Sequence, residues 1–249
     1  MVPPPFGRLV MAADHAPLGM FSELTDIPHL LNQCAEIGIN HVIALPGVVR
    51  RHSDAAAKLG VSFIARLDGN ETYLSGDWTS SPYWELLCPP ASAAAYGASA
   101  GIVNLVLGGA QEMASIRTVS EAITKASAAS LPIMVSTMIL DRSSEISSPF
   151  SARTSDIVFG AYFAEQIGAD AINLYSRGNA EAVQEIQSVC TVPLYVANFL
   201  SPMEPLPDLF IRTCIEASAA GFCVGEALWR SKDMRATADA LMKGFLSSR

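Results

Sequence analysis

The sequence predicts an α/β fold, a single (β/α)8 TIM barrel occupying residues 1–249. Three observations carry this expectation. Eight short apolar segments alternate with longer helical ones, and parallel neighbours need the crossover that a helix supplies. Several helix–strand junctions share a glycine or a proline. The length of 249 residues matches one such barrel, although two smaller domains also fit that length.

The predicted strands are Gly7–Ala12, His41–Leu45, Ser62–Leu67, Ile102–Leu107, Ile133–Thr137, Ala171–Leu174, Leu194–Val196 and Gly221–Val224. Helical patterns lie between them at Ile27–Ile37, Gln111–Ala128, Asp156–Ile167, Ala180–Val189 and Leu209–Ala220. Gly38, Gly168 and Gly221 each stand where a helix stops and a strand begins, a place that favours the left-handed conformation glycine adopts cheaply. Pro132 and Pro193 stop helices because proline cannot continue one. An open Rossmann-like sheet is the alternative, but the chain has neither a GxGxxG run after the first strand nor a Walker loop.

Half the residues are apolar, 16% are charged and the mean hydropathy is +0.31. This composition fits an extensive core, or a core plus a subunit interface, so a homo-oligomer is expected. A net charge of −8 without basic clusters argues against nucleic-acid and anionic-membrane binding. No segment reaches the roughly 18 apolar residues of a membrane span. The start, Met1 to Phe6, lacks the pattern of a signal peptide, and a cytoplasmic location is the expectation. The five cysteines are scattered and form no CxxC pair, so neither a disulfide framework nor a zinc site is indicated. Cys190, Cys214 and Cys223 sit in apolar surroundings and read as core.

In a barrel of this kind chemistry sits at the C-terminal ends of the strands, and the residues there are polar. Asp14 and His15 end the first strand, and Arg66 and Asp68 the third. Asn173, Tyr175 and Arg177 follow the sixth, Asn198 the seventh and Glu226 the eighth. Asp14 is either a general base or a turn cap, and His15 either assists it or orients it. Tyr175 either donates a proton or hydrogen bond to a developing oxyanion or packs at the rim. Arg66 either lies in the mouth or pairs with Asp68 or Glu226. Asp14, His15, Asp68 and Glu226 lack the HxH or HExxH spacing of a metal site, so no metal and no cofactor is expected. The long segment Asn70–Pro90, with Trp78, Tyr83 and Trp84, reads as a lid or partner contact, and Ser143–Ser151 as a second flexible rim loop after the fifth strand.

Several segments in order resemble the class I aldolase superfamily of archaeal-type fructose-bisphosphate aldolases, deoxyribose-phosphate aldolase and autoinducer-2 thiolase-like barrels. Val10-Met11-Ala12-Ala13-Asp14-His15-Ala16 is similar to that family's first-strand Asp-His-Gly motif. Ala44 to Arg50, Ala65 to Asn70 and Val224 to Trp229 resemble its second, third and final strand ends. The resemblance implies a barrel, a carbonyl substrate and an imine-forming lysine four residues past the alanine of an Ala-Asp pair. Counting from Ala169 places Asn173 there. Met138 stands where an acid/base tyrosine is usual. Val196-Ala197-Asn198-Phe199-Leu200 replaces a glycine-rich phosphate cradle, and Glu226 replaces a phosphate-gripping arginine.

The expected activity is therefore that of an aldolase-like lyase without a lysine imine, acting on a small, polar, non-phosphorylated substrate. Asp14 moves the proton with help from His15, and Tyr175, Asn173 and Arg66 hold the enolate-like oxygen. Asp68, Arg177, Asn198 and Glu226 complete the substrate-binding set. The alternatives are a catalytically inactive homologue that binds a ligand or partner, and a barrel repurposed for isomerisation, cyclisation or hydrolysis.

Overall fold

A computed structural model describes residues 5–75, 84–141, 150–197 and 208–246. Eight parallel strands close into a barrel: β1 (Leu9–Ala12), β2 (His41–Ala44), β3 (Ser62–Arg66), β4 (Ala98–Leu107), β5 (Ile133–Ile139), β6 (Ala171–Leu174), β7 (Leu194–Ala197) and β8 (Gly221–Val224). Each pairs with its sequence neighbours, and β1 pairs with β8 to close the ring. The helices between them are α1 (Ile27–Glu36), α2 (Pro46–Lys58), α3 (Pro90–Ala95), α4 (Glu112–Ala129), α5 (Thr154–Gln166), α6 (Ala180–Val189), α7 (Asp208–Glu216), α8 (Glu226–Trp229) and α9 (Met234–Leu246). The expected fold class is the observed one. No described helix is long and apolar enough to cross a membrane.

Side chains alternate across each strand, and both faces are buried, which explains the nearly continuous apolar runs. One set points inward: Val10, Ile43, Ile64, Ile102, Met134, Ala171, Tyr195 and Cys223 form the barrel interior. The other set, including Met11, Val42, Phe63, Val103, Val135, Ile172 and Phe222, packs against the helices. At the N-terminal end Phe6 closes the barrel. Its backbone N–H donates to the Tyr195 hydroxyl at 3.0 Å, and its ring meets His41 edge-on at 5.6 Å.

The junctions correct one expectation. Gly38 and Gly168 take positive φ, +81° and +105°, as a left-handed helix stop requires. Gly221 does not. At that junction Ser218 carries the positive φ, +61°, while Gly221 is small because a Cβ there would lie 2.4 Å from the Arg8 carbonyl oxygen.

Candidate active site

The C-terminal mouth of the barrel is built around one guanidinium. Arg66 is the last residue of β3 and shares the inward face with Ile64. Its Nε donates to Asp14 Oδ2 at 2.7 Å and its Nη1 to Asp68 Oδ1 at 3.2 Å. Asp14 reaches it because the chain leaves β1 along β2, with the Ala13 N–H donating to the Ile43 carbonyl at 2.9 Å. Asp68 is fixed from the other side. The backbone N–H of Asn104 in β4 donates to Asp68 Oδ2 at 2.6 Å. This carboxylate replaces a ladder carbonyl, because the Leu67 oxygen accepts instead from Leu87 and Cys88, both at 2.8 Å. Those bonds fold the chain after β3 back on itself, so that Asp68–Gly69 pairs antiparallel with Glu85–Leu86.

The charges set the protonation states. Burial pushes the Asp14 carboxyl up, but Arg66 and His15 outweigh it and hold the group below the usual carboxylate range. For Asp68 burial wins over Arg66 and the Asn104 amide, and its carboxyl lies above that range. Burial lowers the Arg66 guanidinium, yet the two carboxylates leave it more firmly protonated than usual. Tyr175 is raised by burial, only partly offset by Arg66, so its phenol keeps its proton. Cys223, inward on β8, is pushed by burial and by Asp14 up to about 12. It is an inert thiol.

His15 lies beside this cluster. Its Nδ1 is 3.7 Å from Asp14 Oδ1, too long for a hydrogen bond, and has no other protein partner. The ring rests edge-on against Trp229 at 5.5 Å and against Gly225, where a Cβ would stand 2.7 Å from His15 Cε1. Trp229 is itself fixed by its Nε1–H donating to the Ala12 carbonyl at 3.0 Å. Asp14 Oδ2 is held by Arg66, and Oδ1 faces the His15 ring. A carboxylate so arranged can accept a proton without swinging away.

Asn173 sits on the inward face of β6, level with Ser136 of β5. Its Nδ2 donates to Ser136 Oγ at 3.0 Å, and its Oδ1 is buried without a partner. The Ser136 hydroxyl can donate as well as accept. Turning the amide over therefore keeps that bond and presents Nδ2 as the free donor. All four lysines, Lys58, Lys125, Lys232 and Lys243, have exposed side chains.

The remaining expected residues are placed differently. Glu226 pairs not with Arg66 but with Arg230, one turn along at 2.9 Å. Arg177, at φ +50°, donates through Nη1 to the Phe150 carbonyl at 2.8 Å. Asn198, Trp78 and Tyr83 fall outside the described residues, as does most of Ser143–Ser151. Among the described residues no three His, Cys, Asp or Glu side chains gather as a metal-ligand set. Three residues of the mouth escaped the sequence-based site: Asn104, Ser136 and, as a site residue, Trp84, over whose ring the Arg66 guanidinium lies at 5.8 Å. Strand parity was the available signal, since Asn104 alternates with the inward Ile102 and Ser136 with Met134.

An aspartate, an arginine and a phenol thus gather at the strand ends of a closed parallel barrel, the face on which barrel enzymes of many chemistries carry their active sites. A model of the DeoC/LacD family of aldolases matches residues 10–231, and the chain belongs to that family. An archaeal fructose 1,6-bisphosphate aldolase is similar in structure, at 21% identity and a TM-score of 0.80, over 95% of this chain and 92% of that one. A second archaeal aldolase structure, with its catalytic lysine covalently bound to a carbinolamine intermediate, has 21% identity and a TM-score of 0.79, over 95% of this chain and 92% of that one. The fructose-bisphosphate aldolase of Slackia heliotrinireducens shares 16% identity with a TM-score of 0.74, over 98% and 82%. At these identities the structures speak for the fold. No curated protein sequence matches.

Proposed function

We propose that this protein is an aldolase-type lyase that makes or breaks a carbon–carbon bond next to a carbonyl without a lysine imine. The observation that carries the reading is the Asp14–Arg66 pair at the mouth, with Asn173 in the place that the family resemblance gives to the lysine. An imine needs a desolvated amine that is partly neutral at working pH, and the four lysines of this chain are exposed.

In the cleavage direction Asp14 Oδ1 takes the proton of the substrate's β-hydroxyl, and the bond between the α and β carbons breaks. The β carbon leaves as an aldehyde or ketone. The bonding pair passes to the other fragment as an enolate, which regains the proton at its α carbon. Tyr175, Arg66 and the free end of the Asn173 amide supply hydrogen bonds to the enolate oxygen, the kind of preorganised donor set that stabilises developing negative charge. His15, held by Gly225 and Trp229, steadies the Asp14 carboxylate electrostatically. Glu226 stands where the family resemblance gives a phosphate-gripping arginine, and its pairing with Arg230 leaves the two without net positive charge, which favours a substrate without a phosphate there.

The test is proton exchange. The protein is incubated in deuterated water with small aldehydes and ketones, and loss of the α-proton signal is followed by NMR. Exchange is expected with at least one donor, reduced about 10²- to 10⁴-fold in Asp14→Asn, the usual contribution of a general base. Borohydride added during turnover is expected to leave the protein mass unchanged. A borohydride-trapped adduct would refute the imine-free route, and absence of exchange and cleavage with every donor would favour the ligand-binding homologue.

A further inference from the structure

Of the three charged side chains that meet at the mouth, Asp68 is the most deeply buried. Its side chain is fully covered, whereas those of Asp14 and Arg66 keep 11% and 8% exposure. Asn104 holds it from one side, through its backbone N–H to Oδ2 at 2.6 Å and its Nδ2 to Oδ1 at 3.4 Å. Arg66 Nη1 holds it from the other at 3.2 Å. The turn into the Asp68–Gly69 and Glu85–Leu86 hairpin needs only an acceptor for the Asn104 N–H. A neutral side chain can supply that without the cost of burying a charge. The charge of Asp68 therefore calls for a role beyond the hairpin.

That role lies across the guanidinium. One cation is shared by two carboxylates, with Nε on Asp14 at 2.7 Å and Nη1 on Asp68. The Trp84 ring lies over it at 5.8 Å. A neighbouring cation makes a carboxylate a weaker base, and a neighbouring anion makes it a stronger one. Arg66 and His15 both act on Asp14 in the first sense. Tyr175 and Cys223 face the same cluster, but burial keeps the phenol and the thiol protonated and uncharged. Asp68, as an anion on the far side of Arg66, acts in the second sense.

We infer that Asp68 is a positioning residue for Asp14: it holds Arg66 from behind and, by sharing the charge of that cation, keeps the Asp14 carboxylate basic enough to take a proton. The use made of that proton rests on the lyase reading. The coupling between the two carboxylates does not.

The coupling is read directly on the full-length protein. With the aspartates labelled with carbon-13, and Asp14 and Asp68 assigned by the loss of their signals in Asp14→Asn and Asp68→Asn, both carboxyls are followed by NMR through a pH titration. In the native protein the Asp14 signal is expected to move in two steps, one at its own protonation and one at that of Asp68, as interacting sites do. In Asp68→Asn the second step should vanish and the Asp14 midpoint should fall by about one pH unit, the low end of the effect of a neighbouring charge. A carboxylate that only shapes the hairpin would move neither. In the α-proton exchange assay the same variant should be about three- to tenfold slower near neutral pH, as a weaker base is, with the acid limb of its pH profile displaced downward. A single-step Asp14 titration in the native protein, or an unchanged midpoint in folded Asp68→Asn, would overturn the inference. The native titration decides it even where Asp68→Asn does not fold. A two-step titration in a protein that exchanges no donor leaves the coupling standing and removes the lyase reading.

Discussion

Arg66→Met probes the centre of the site with a side chain of similar length and no charge. In the native protein the guanidinium touches Asp14 at 2.7 Å and Asp68 at 3.2 Å, and the Asp68 side chain is fully buried. Removing the cation leaves two buried carboxylates without the counter-charge that both share. Breaking a buried ion pair from one side costs about 3–5 kcal/mol. For a protein of this size that corresponds to a drop in Tm of about 6–20 °C. The pH dependence follows from the shifts. Asp14 has its folded pKa depressed, so it contributes stability above its unfolded value of about 3.9 that is lost as pH falls through the folded value. Asp68 is raised, so its ionisation costs stability above its folded value, and acid relieves that cost. Without Arg66 burial is opposed only by His15 at Asp14 and by backbone amides at the two carboxylates, so both carboxyls rise. The deficit of Arg66→Met against the native protein should therefore be largest near neutral pH and shrink toward pH about 4 as both groups take up protons. Urea unfolding followed by circular dichroism at several pH values measures it. Adding Asp14→Asn and Asp68→Asn should recover at least half the loss, since neutral replacements remove the stranded charge. A midpoint shift that is the same at both ends of the pH range would show that the loss comes from packing and not from the stranded charges.

Three further outcomes follow from particular contacts. Gly225→Ala places a Cβ within 2.7 Å of the His15 ring; it should cost about 1–3 kcal/mol and slow exchange, and His15→Ala in the same chain should relieve most of the stability cost. A double-mutant cycle with no coupling between the two would sink this reading. His41 has its pKa lowered by burial, partly countered by its bond to Phe6, so the unfolded chain binds its proton more readily and stability should decline as pH falls through about 6.5. His41→Gln should flatten that slope, and an unchanged slope would place the titration elsewhere. Asn173→Lys should give a folded protein that borohydride does not trap with any carbonyl donor, because carboxylates at the mouth favour the charged amine and Met138 stands where an aldolase tyrosine is usual; a trapped adduct would contradict this.

What the sequence disclosed and what it hid divide along one physical line. Strand ends and inward parity are local properties, so Asp14, Arg66, Asp68 and Asn173 were legible as rim residues before their neighbours were known. Pairing is not local. Arg66 meets Asp14 across 52 residues of sequence, and nothing in the intervening chain distinguishes that partner from Glu226, which the short helix α8 gives instead to Arg230. The start of β4 was hidden for a different reason. Ala98-Ser99-Ala100-Gly101 has poor strand propensity, yet it is strand because space requires small residues there: a Cβ on Gly101 would lie 2.5 Å from Leu67 and 2.9 Å from Ile133. Helices α2 and α3 begin with Pro46 and Pro90, residues that suit a first turn as well as they suit a loop. The same line runs through position 173. Sequence identifies an asparagine where the resembled family has a lysine, and stops there. The fold adds that this asparagine is buried, spends one end of its amide on Ser136 and leaves the other unpaired. A side chain that merely filled the lysine's volume would have no reason to keep a buried polar atom unsatisfied. The unpaired end is the argument that position 173 still faces a ligand.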